Sequence, residues 1–184
     1  MPDFIFETPG NPMPENASAG FFDAPDGRRL RYARFKATGR PLKGTVVILQ
    51  GRNECIEKYF ETVRDLSARG FGVATFDLRG QGGSQRLLAD PERGHVRDFD
   101  DYAADLEPFF RQIVLPDCRG PYYILAHSTG ALVALIAAPA LQSRVERMVL
   151  SAPLLGLPDG TISARNAKRL ASAMHAFGLG GSYI

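Results

Sequence analysis

The chain has 184 residues, of which 45% are hydrophobic, and this size and composition suit one globular domain with a sizeable core. Its net charge of +2 is too small to favour nucleic acid or an anionic membrane as a partner. Two cysteines, Cys55 and Cys118, cannot form a disulfide framework, and no apolar run is long enough to span a bilayer. Since no signal peptide is recognisable either, we expect a cytoplasmic protein.

The first part of the chain predicts an irregular arm followed by a β-hairpin. Prolines, asparagines and a glycine mark residues 1–18 as the arm. A strand is expected to begin at Gly20, and residues 24–27 form a turn in which proline presets one backbone angle and glycine tolerates positive φ. From Arg29 to Phe35, apolar residues alternate with arginines, which predicts a half-buried antiparallel strand.

Two buried strands with a helix between them come next. The β-branched run at residues 45–49 predicts a strand buried on both faces, as in a parallel sheet. Apolar residues then recur at helical spacing over residues 56–69, with Gly70 closing the amphipathic helix. A second short buried strand is expected over residues 73–76.

A glycine-rich loop, residues 77–84, follows the second buried strand. It lacks the G-x-G-x-x-G spacing that opens directly into a helix, and it lacks the lysine of a P-loop. We therefore interpret this loop as structural and not as a phosphate site. After a polar stretch, a helix is predicted over residues 99–114, favoured at its start by Asp98 and bent by Pro108.

A strand that runs straight into a helix at Ser128 is the feature around which the chain is organised. Residues 122–127 predict the strand, and residues 129–138 predict a helix that Pro139 is expected to stop. The junction reads A-x-S-x-G, whereas a nucleophile elbow usually reads G-x-S-x-G. Ala126 is the mildest departure from that pattern, because the position lacks room only for a larger side chain.

The alternation of strands and helices predicts the fold class. A further short strand is expected over residues 145–151, and the whole pattern indicates a mostly parallel α/β sheet with helices on both faces. We place the core of this fold at residues 19–152. Residues 153–184 change character, from loop to helix, and are expected to form a separate segment.

Ser128 is the candidate nucleophile. A serine hydroxyl needs a base to activate it and N–H donors to hold the developing oxyanion. Because ligands of open parallel sheets bind beyond the carboxyl ends of the strands, the loop after Leu49 and the turn at Ser128 should share one crevice. The backbone N–H groups of Arg52 and Thr129 are then the natural oxyanion pair. The alternative is a tight turn at Ser128 with no chemical role.

Three histidines and one glutamate are candidates for roles beside Ser128. His127 precedes it on a strand, where neighbours point to opposite faces, so we do not expect His127 to serve as its base. His95 and His175 are interpreted as solvated side chains. Glu54 lies four residues before Lys58, a spacing typical of a simple surface pair, with a role at the mouth of the crevice as the alternative.

Four segments match a known family in the same order along the chain, and together they are more specific than any one of them. They are residues 51–59, 69–71, 77–84 and 127–130. Together they resemble the α/β-hydrolase superfamily and, within it, the lysophospholipase L2 and monoacylglycerol lipase-like serine hydrolases. The resemblance implies cleavage of an ester of a monoacyl lipid through an acyl-enzyme, with no metal and no cofactor.

The same resemblance implies roles for individual residues. It makes Ser128 the nucleophile and the backbone of Arg52 and Thr129 the oxyanion hole. It also places Glu54 near the polar head of the substrate.

The chain departs from the family pattern at three points. Gln50 stands where the family has histidine, and Ala126 stands where it has the first elbow glycine. The third departure is length, since the acid and base of the triad follow the nucleophile in this superfamily. The resemblance implies that residues 153–184, called the cap-like part below, are the start of the cap that interrupts the fold, and Asp159 and His175, which lie there, are not assigned to the triad. We therefore expect the N-terminal part of a longer hydrolase, with weak or no activity by itself.

Two other functions remain open at this point. One is a catalytically inactive fragment or binding module of the same fold. The other is a different reaction of that fold, by a peptidase, haloperoxidase or acyltransferase, because fold alone does not choose among them. The expected partner is a small-molecule lipid ester, with the cap-like part as the place for any peripheral membrane contact and no nucleic acid. Acyl chain, head group and oligomeric state stay open.

Overall fold

One six-stranded sheet forms the centre of the computed structural model, which describes residues 4–156 and 164–179. In chain order the strands are β1 (Ala17–Asp23), β2 (Arg29–Phe35), β3 (Gly44–Leu49), β4 (Phe71–Phe76), β5 (Tyr122–His127) and β6 (Val145–Ser151). They lie side by side in the order β1-β2-β4-β3-β5-β6. The β1–β2 and β2–β4 pairs are antiparallel and the other three are parallel. The predicted mostly parallel α/β sheet and the predicted hairpin are confirmed, and the structure places the hairpin at one edge of the sheet.

Helical segments connect the parallel strands and cover the sheet. They are α1 (Phe60–Ala68), preceded by a 3₁₀ turn (Ile56–Tyr59); α2 (Phe99–Ala104); α3 (Leu106–Phe109), followed by a π-helical turn (Phe110–Val114); α4 (Leu115–Asp117); α5 (Thr129–Leu141); and α6 (Ala164–Ala176).

Strand β3 is buried along its whole length, as its β-branched run predicts. Successive side chains of a strand point to opposite faces. Val47 and Leu49 accordingly belong to one hydrophobic cluster, which includes residues of α2, α3 and α5. Val46 and Ile48 belong to a second cluster, which includes residues of α1. Helices therefore bury both faces of the sheet, and this explains why the central strands need no polar face.

The predicted helix over residues 99–114 is divided into segments. Its start is as expected, because Asp98 caps α2 by accepting the N–H of Asp100 at 3.0 Å. Pro108 lies inside α3 and has no N–H for the helical ladder, and the π-helical turn follows directly after α3. The proline thus interrupts the regular helix without ending the helical course of the chain.

Two predicted boundaries are wrong. Helix α5 continues past Pro139 to Leu141. A proline in the last turn removes one helical hydrogen bond, and burial of Leu141 in the core, at 1% exposed, offsets that loss. Strand β1 begins at Ala17, before the expected start at Gly20, because its ladder with β2 extends to the pair Ala17 and Phe35.

The two edges of the sheet differ in how they are covered. Beside β1, the N-terminal arm packs on the body, with Ile5 only 2% exposed and the ring of Phe4 edge-on to that of Phe21 at 5.3 Å. At the other edge, Val149 of β6 is 61% exposed, and no strand of the described residues pairs with the outer side of β6. Strand β6 is therefore an unpaired edge of the described sheet, with an exposed apolar side chain.

Contacts divide the chain after Pro153. The first unit, Met1–Pro153, contains the sheet, and the second, Leu154–Ile184, contains α6, whose described side chains are mostly exposed. No helix among the described residues combines the length and the apolar character needed to cross a membrane.

Candidate active site

The turn between β5 and α5 is made by Ser128 alone. Its backbone has φ +49° and ψ −113°, a conformation that side-chain-bearing residues rarely adopt. Its N–H donates to the carbonyl of Ser151 at 3.0 Å, and its own carbonyl accepts the N–H of Ala131 at 3.1 Å. The hydroxyl makes no capping hydrogen bond to α5. Main-chain interactions therefore hold the turn, and the hydroxyl is not used to start the helix.

Gly130 brings this turn against the end of β3. A Cβ atom at Gly130 would overlap the backbone of Leu49 and Gln50, so only glycine fits this close approach. Leu49 is also the register partner of Ala126. The predicted proximity of the loop after Leu49 and the turn at Ser128 is confirmed. Ala126 is 1% exposed and its methyl group packs in the main core cluster, which explains why alanine is accepted there.

Glu54 lies in the loop after β3 and contacts the residue that precedes Ser128. It is 8% exposed. Its Oε2 accepts the backbone N–H of Gly51 and the hydroxyl of Tyr59, each at 2.6 Å, and its Oε1 pairs with Lys58. The Nδ1 atom of His127 lies 3.4 Å from both carboxylate oxygens. One carboxylate thus connects the loop after β3 to the end of β5.

The interpretation of Glu54 and Lys58 as a simple surface pair is wrong. The Lys58 side chain is 59% exposed and that of Glu54 is 6% exposed, because the helical turns begin only at Ile56 and Glu54 belongs to the preceding loop. Burial opposes ionisation of Glu54, but hydrogen bonds from Lys58, Tyr59 and Gly51 lower its pKa from 4.5 to about 2. Burial and the neighbouring carboxylate raise the pKa of Tyr59.

Arg52 lies on the exposed rim of the same loop. The residue after it, Asn53, has φ +57° and donates its N–H to the side-chain oxygen of Gln81. The N–H of Arg52 therefore lies between two anchored amides, those of Gly51 and Asn53. Thr129 is the first residue of α5, where a backbone N–H has no partner within the helix. These placements suit an oxyanion pair, and that role stays a prediction.

The glycine-rich loop of residues 77–84 surrounds a buried carboxylate. Asp77 is 0% exposed, and its oxygens accept from the Arg31 guanidinium at 2.6 Å, the Gly83 N–H at 2.7 Å and the Ile56 N–H at 2.9 Å. Gln50 Nε2 lies 3.3 Å from the same carboxylate. Gln50, which stands where the resemblance leads us to expect histidine, thus supplies an N–H donor to Asp77. This geometry supports the structural interpretation of the loop.

Arg31 connects β2 to these two loops through ion pairs that the sequence did not predict. The alternation of apolar residues and arginines in β2 predicts exposed arginines, but Arg31 is 6% exposed and pairs with Glu57 at 2.8 Å in addition to Asp77. One feature of the sequence could have indicated this contact. Asp77 is a single acidic residue directly after a buried strand, and a buried carboxylate requires a cationic or N–H partner.

We assign none of the described side chains as the base that Ser128 needs. The His127 ring faces Glu54, as described above. Two further residues, Asp159 and His175, were not assigned to the triad. Asp159 lies outside the described residues, and His175 is exposed on α6 in the second unit.

Comparison with solved structures defines the fold. An alpha/beta hydrolase, GrgF from Penicillium sp. sh18, matches with a TM-score of 0.68 and 23% identity, over 88% of this chain and 54% of that one. At this identity the likeness concerns the fold alone, which is the α/β-hydrolase fold.

Two curated proteins are similar in sequence. Lysophospholipase L2 from Escherichia coli (strain K12) is 40% identical over 136 residues, which are 74% of this chain and 39% of that protein. Probable lysophospholipase L2 from Haemophilus influenzae is 30% identical over 129 residues, 70% of this chain and 41% of that protein. The chain therefore spans about two fifths of the length of these relatives.

Residues 40–178 match the family described as serine aminopeptidase, S33 (Hydrolase_4), and the chain belongs to this family. The resemblance stated from the sequence is confirmed at this level.

Proposed function

We propose that this chain carries the nucleophile of a serine hydrolase of the lysophospholipase type, which cleaves an ester bond of a monoacyl lipid. The observation that carries the proposal is the backbone of Ser128, with φ +49° at a strand–helix junction beside the loop after β3. Holding a residue with a side chain in such a conformation costs about 1–3 kcal/mol, and strain of this kind clusters at functional sites. A serine held in a sharp, strained strand-to-helix turn is typical of a nucleophile elbow.

In the proposed reaction, Ser128 Oγ attacks the carbonyl carbon of the ester and its proton passes to a base. The carbonyl oxygen becomes an oxyanion, which the N–H groups of Arg52 and Thr129 stabilise. The bond to the leaving alcohol then breaks, the alcohol takes up the proton, and an acyl group remains on Ser128. Water hydrolyses this acyl-enzyme and releases the fatty acid.

The substrate class rests on the sequence relatives. The two relatives described above are named lysophospholipase L2, at 40% identity, and probable lysophospholipase L2, at 30% identity. The family's description names an aminopeptidase, and an amide substrate is therefore the second candidate. A monoacylglycerol differs from a lysophospholipid only beyond the ester, in its head group. Contact with a membrane through the cap-like part, and a cytoplasmic location, belong to the same proposal.

The test uses the complete open reading frame that contains this chain. A fluorophosphonate probe should label the protein at Ser128, and the protein should release fatty acid from lysophosphatidylethanolamine faster than from a monoacylglycerol or an aminoacyl nitroanilide. Ser128→Ala should abolish labelling and lower hydrolysis by about 10⁴-fold or more. Ser18→Ala, on β1, is the matched control and should behave as wild type.

Labelling that survives Ser128→Ala would sink the assignment of the nucleophile. Faster cleavage of the nitroanilide would favour the peptidase instead. For the 184 residues alone, we expect little or no turnover of a short-chain nitrophenyl ester, and robust turnover would contradict that expectation.

A further inference from the structure

The contacts of Glu54 hold the loop after β3 and leave little of its carboxylate open to the crevice. Its Oε2 accepts two hydrogen bonds of 2.6 Å, one from the Gly51 N–H and one from the Tyr59 hydroxyl. Its Oε1 pairs with Lys58, and the ring of His127 lies against both oxygens. Both oxygens are thus occupied, and the side chain is 6% exposed. Little of the carboxylate is left for a substrate head group.

The N–H groups on either side of Arg52 are both held by side chains. Glu54 holds the amide before it, that of Gly51, and Gln81 holds the amide after it, that of Asn53. A peptide N–H between two anchored neighbours has little freedom to rotate, because each peptide unit is planar. The direction of the Arg52 N–H is therefore set by Glu54 and Gln81.

The same carboxylate connects this loop to β5. A Cβ atom at Gly51 would lie 3.0 Å from Glu54 Oε2 and 3.0 Å from His127 Nδ1, so the three residues are in close contact. His127 is followed directly by Ser128. Glu54 therefore relates the position of the Arg52 N–H to the position of the Ser128 hydroxyl.

We propose that Glu54 is a positioning residue, which holds the loop after β3 so that the Arg52 N–H faces the oxyanion formed at Ser128. This inference rests on the proposed function, because it needs Ser128 as nucleophile. It replaces the expectation that Glu54 binds the substrate head group. An oxyanion donor displaced by about 1 Å costs on the order of 10²-fold in rate, and the oxyanion exists only after attack.

The experiment compares Glu54→Gln with wild type in the complete open reading frame, with active sites counted by fluorophosphonate titration. Glutamine keeps the size of the side chain and loses the charge that strengthens the hydrogen bond from Gly51. We expect kcat per active site to fall about 10- to 100-fold, with KM within about twofold, because the lost interaction acts in the transition state.

Glu107→Gln is the matched control. Glu107 also forms an ion pair, with Arg144 at 2.6 Å, but its side chain is 52% exposed and lies on α3. This variant should keep both kcat and KM. A second readout uses ¹⁵N-glycine labelling, in which the Gly51 amide proton should shift upfield in Glu54→Gln and stay in place in Glu107→Gln.

Several outcomes would overturn the positioning role. A raised KM at unchanged kcat would make Glu54 a ligand of the substrate. A reduced active fraction with unchanged kcat per site would make its role purely structural. An unshifted Gly51 amide would show that the charge of Glu54 does not act on this N–H.

Gly51→Ala tests the same contact from the other side and serves if Glu54→Gln does not fold. The added methyl group would press on Glu54 and His127, and it should lower kcat in the same way. A wild-type protein that is not labelled at Ser128 removes the proposed function and this inference with it. Labelling at Ser128 with wild-type kinetics in both variants removes only the inference.

Discussion

The two loops that meet at the carboxyl edge of the sheet are held by different kinds of interaction. The loop after β3 depends on side chains, because Glu54 and Gln81 accept its N–H groups and Asp77 accepts the N–H that follows the loop. The turn after β5 depends on the main chain. There, Ser128 adopts positive φ and donates its N–H to β6, and Gly130 packs on the backbone of β3.

This difference explains why a motif marks only one of the two loops. A turn held by its own backbone needs small residues at fixed neighbouring positions, and these stand together in the sequence around Ser128. The loop after β3 also needs a partner that is distant in sequence, since the Gln81 side chain that accepts the Asn53 N–H is 28 positions away. The distant residue that holds the loop after β3 is therefore recognisable only once the chain is folded.

Removing Asp77 should have the largest effect on stability. Asp77→Ala would leave the Arg31 guanidinium, 6% exposed, without its closest carboxylate and the Ile56 N–H without an acceptor. We expect urea unfolding to show a loss of about 3–5 kcal/mol. Asp117→Ala breaks a partly exposed pair with Arg34 at 2.7 Å and should cost less than about 1 kcal/mol. Equal losses in the two variants would show that side chains do not hold this region.

Filling the close contact of the Ser128 turn should have the next largest effect. Gly130→Ala places a methyl group against the backbone of Leu49 and Gln50, which cannot move independently of the sheet. We expect a loss of about 1–3 kcal/mol in the free energy of unfolding. The control is Gly156→Ala, where the added Cβ has nothing within 4 Å, and it should change stability by less than about 0.5 kcal/mol. A neutral Gly130→Ala would mean that the turn is not packed on β3.

The smallest effect should come from relieving strain at Ser128. Both Ser128→Gly and Ser128→Ala remove the hydroxyl, but only glycine adopts φ +49° without cost. Thermal unfolding should therefore show the glycine variant to be more stable than the alanine variant, by about 1 kcal/mol. Equal stability would show that the turn stores no strain, and the comparison of the two loops would lose its basis.

The sequence by itself determined the elements whose causes are local. The β-branched run of β3, the turn of the hairpin and the small residues around Ser128 each act within a few positions of the chain. Their spacing along an alternating pattern was enough to predict a mostly parallel α/β sheet and to bring the loop after β3 beside Ser128. Family membership followed from the same segments in order.

Only the tertiary structure decided what long-range packing controls. Glu54 became a buried ion because His127 and the loop after β3 enclose it, although its spacing from Lys58 predicts a surface pair. Helix α5 passed Pro139 because the core buries Leu141. Hydrogen bonds offset the cost of burying the Glu54 carboxylate, and burial of Leu141 offsets the hydrogen bond lost at Pro139, so contacts of the folded chain outweigh a local preference in each case. No pattern within a short stretch of the chain records those distant partners.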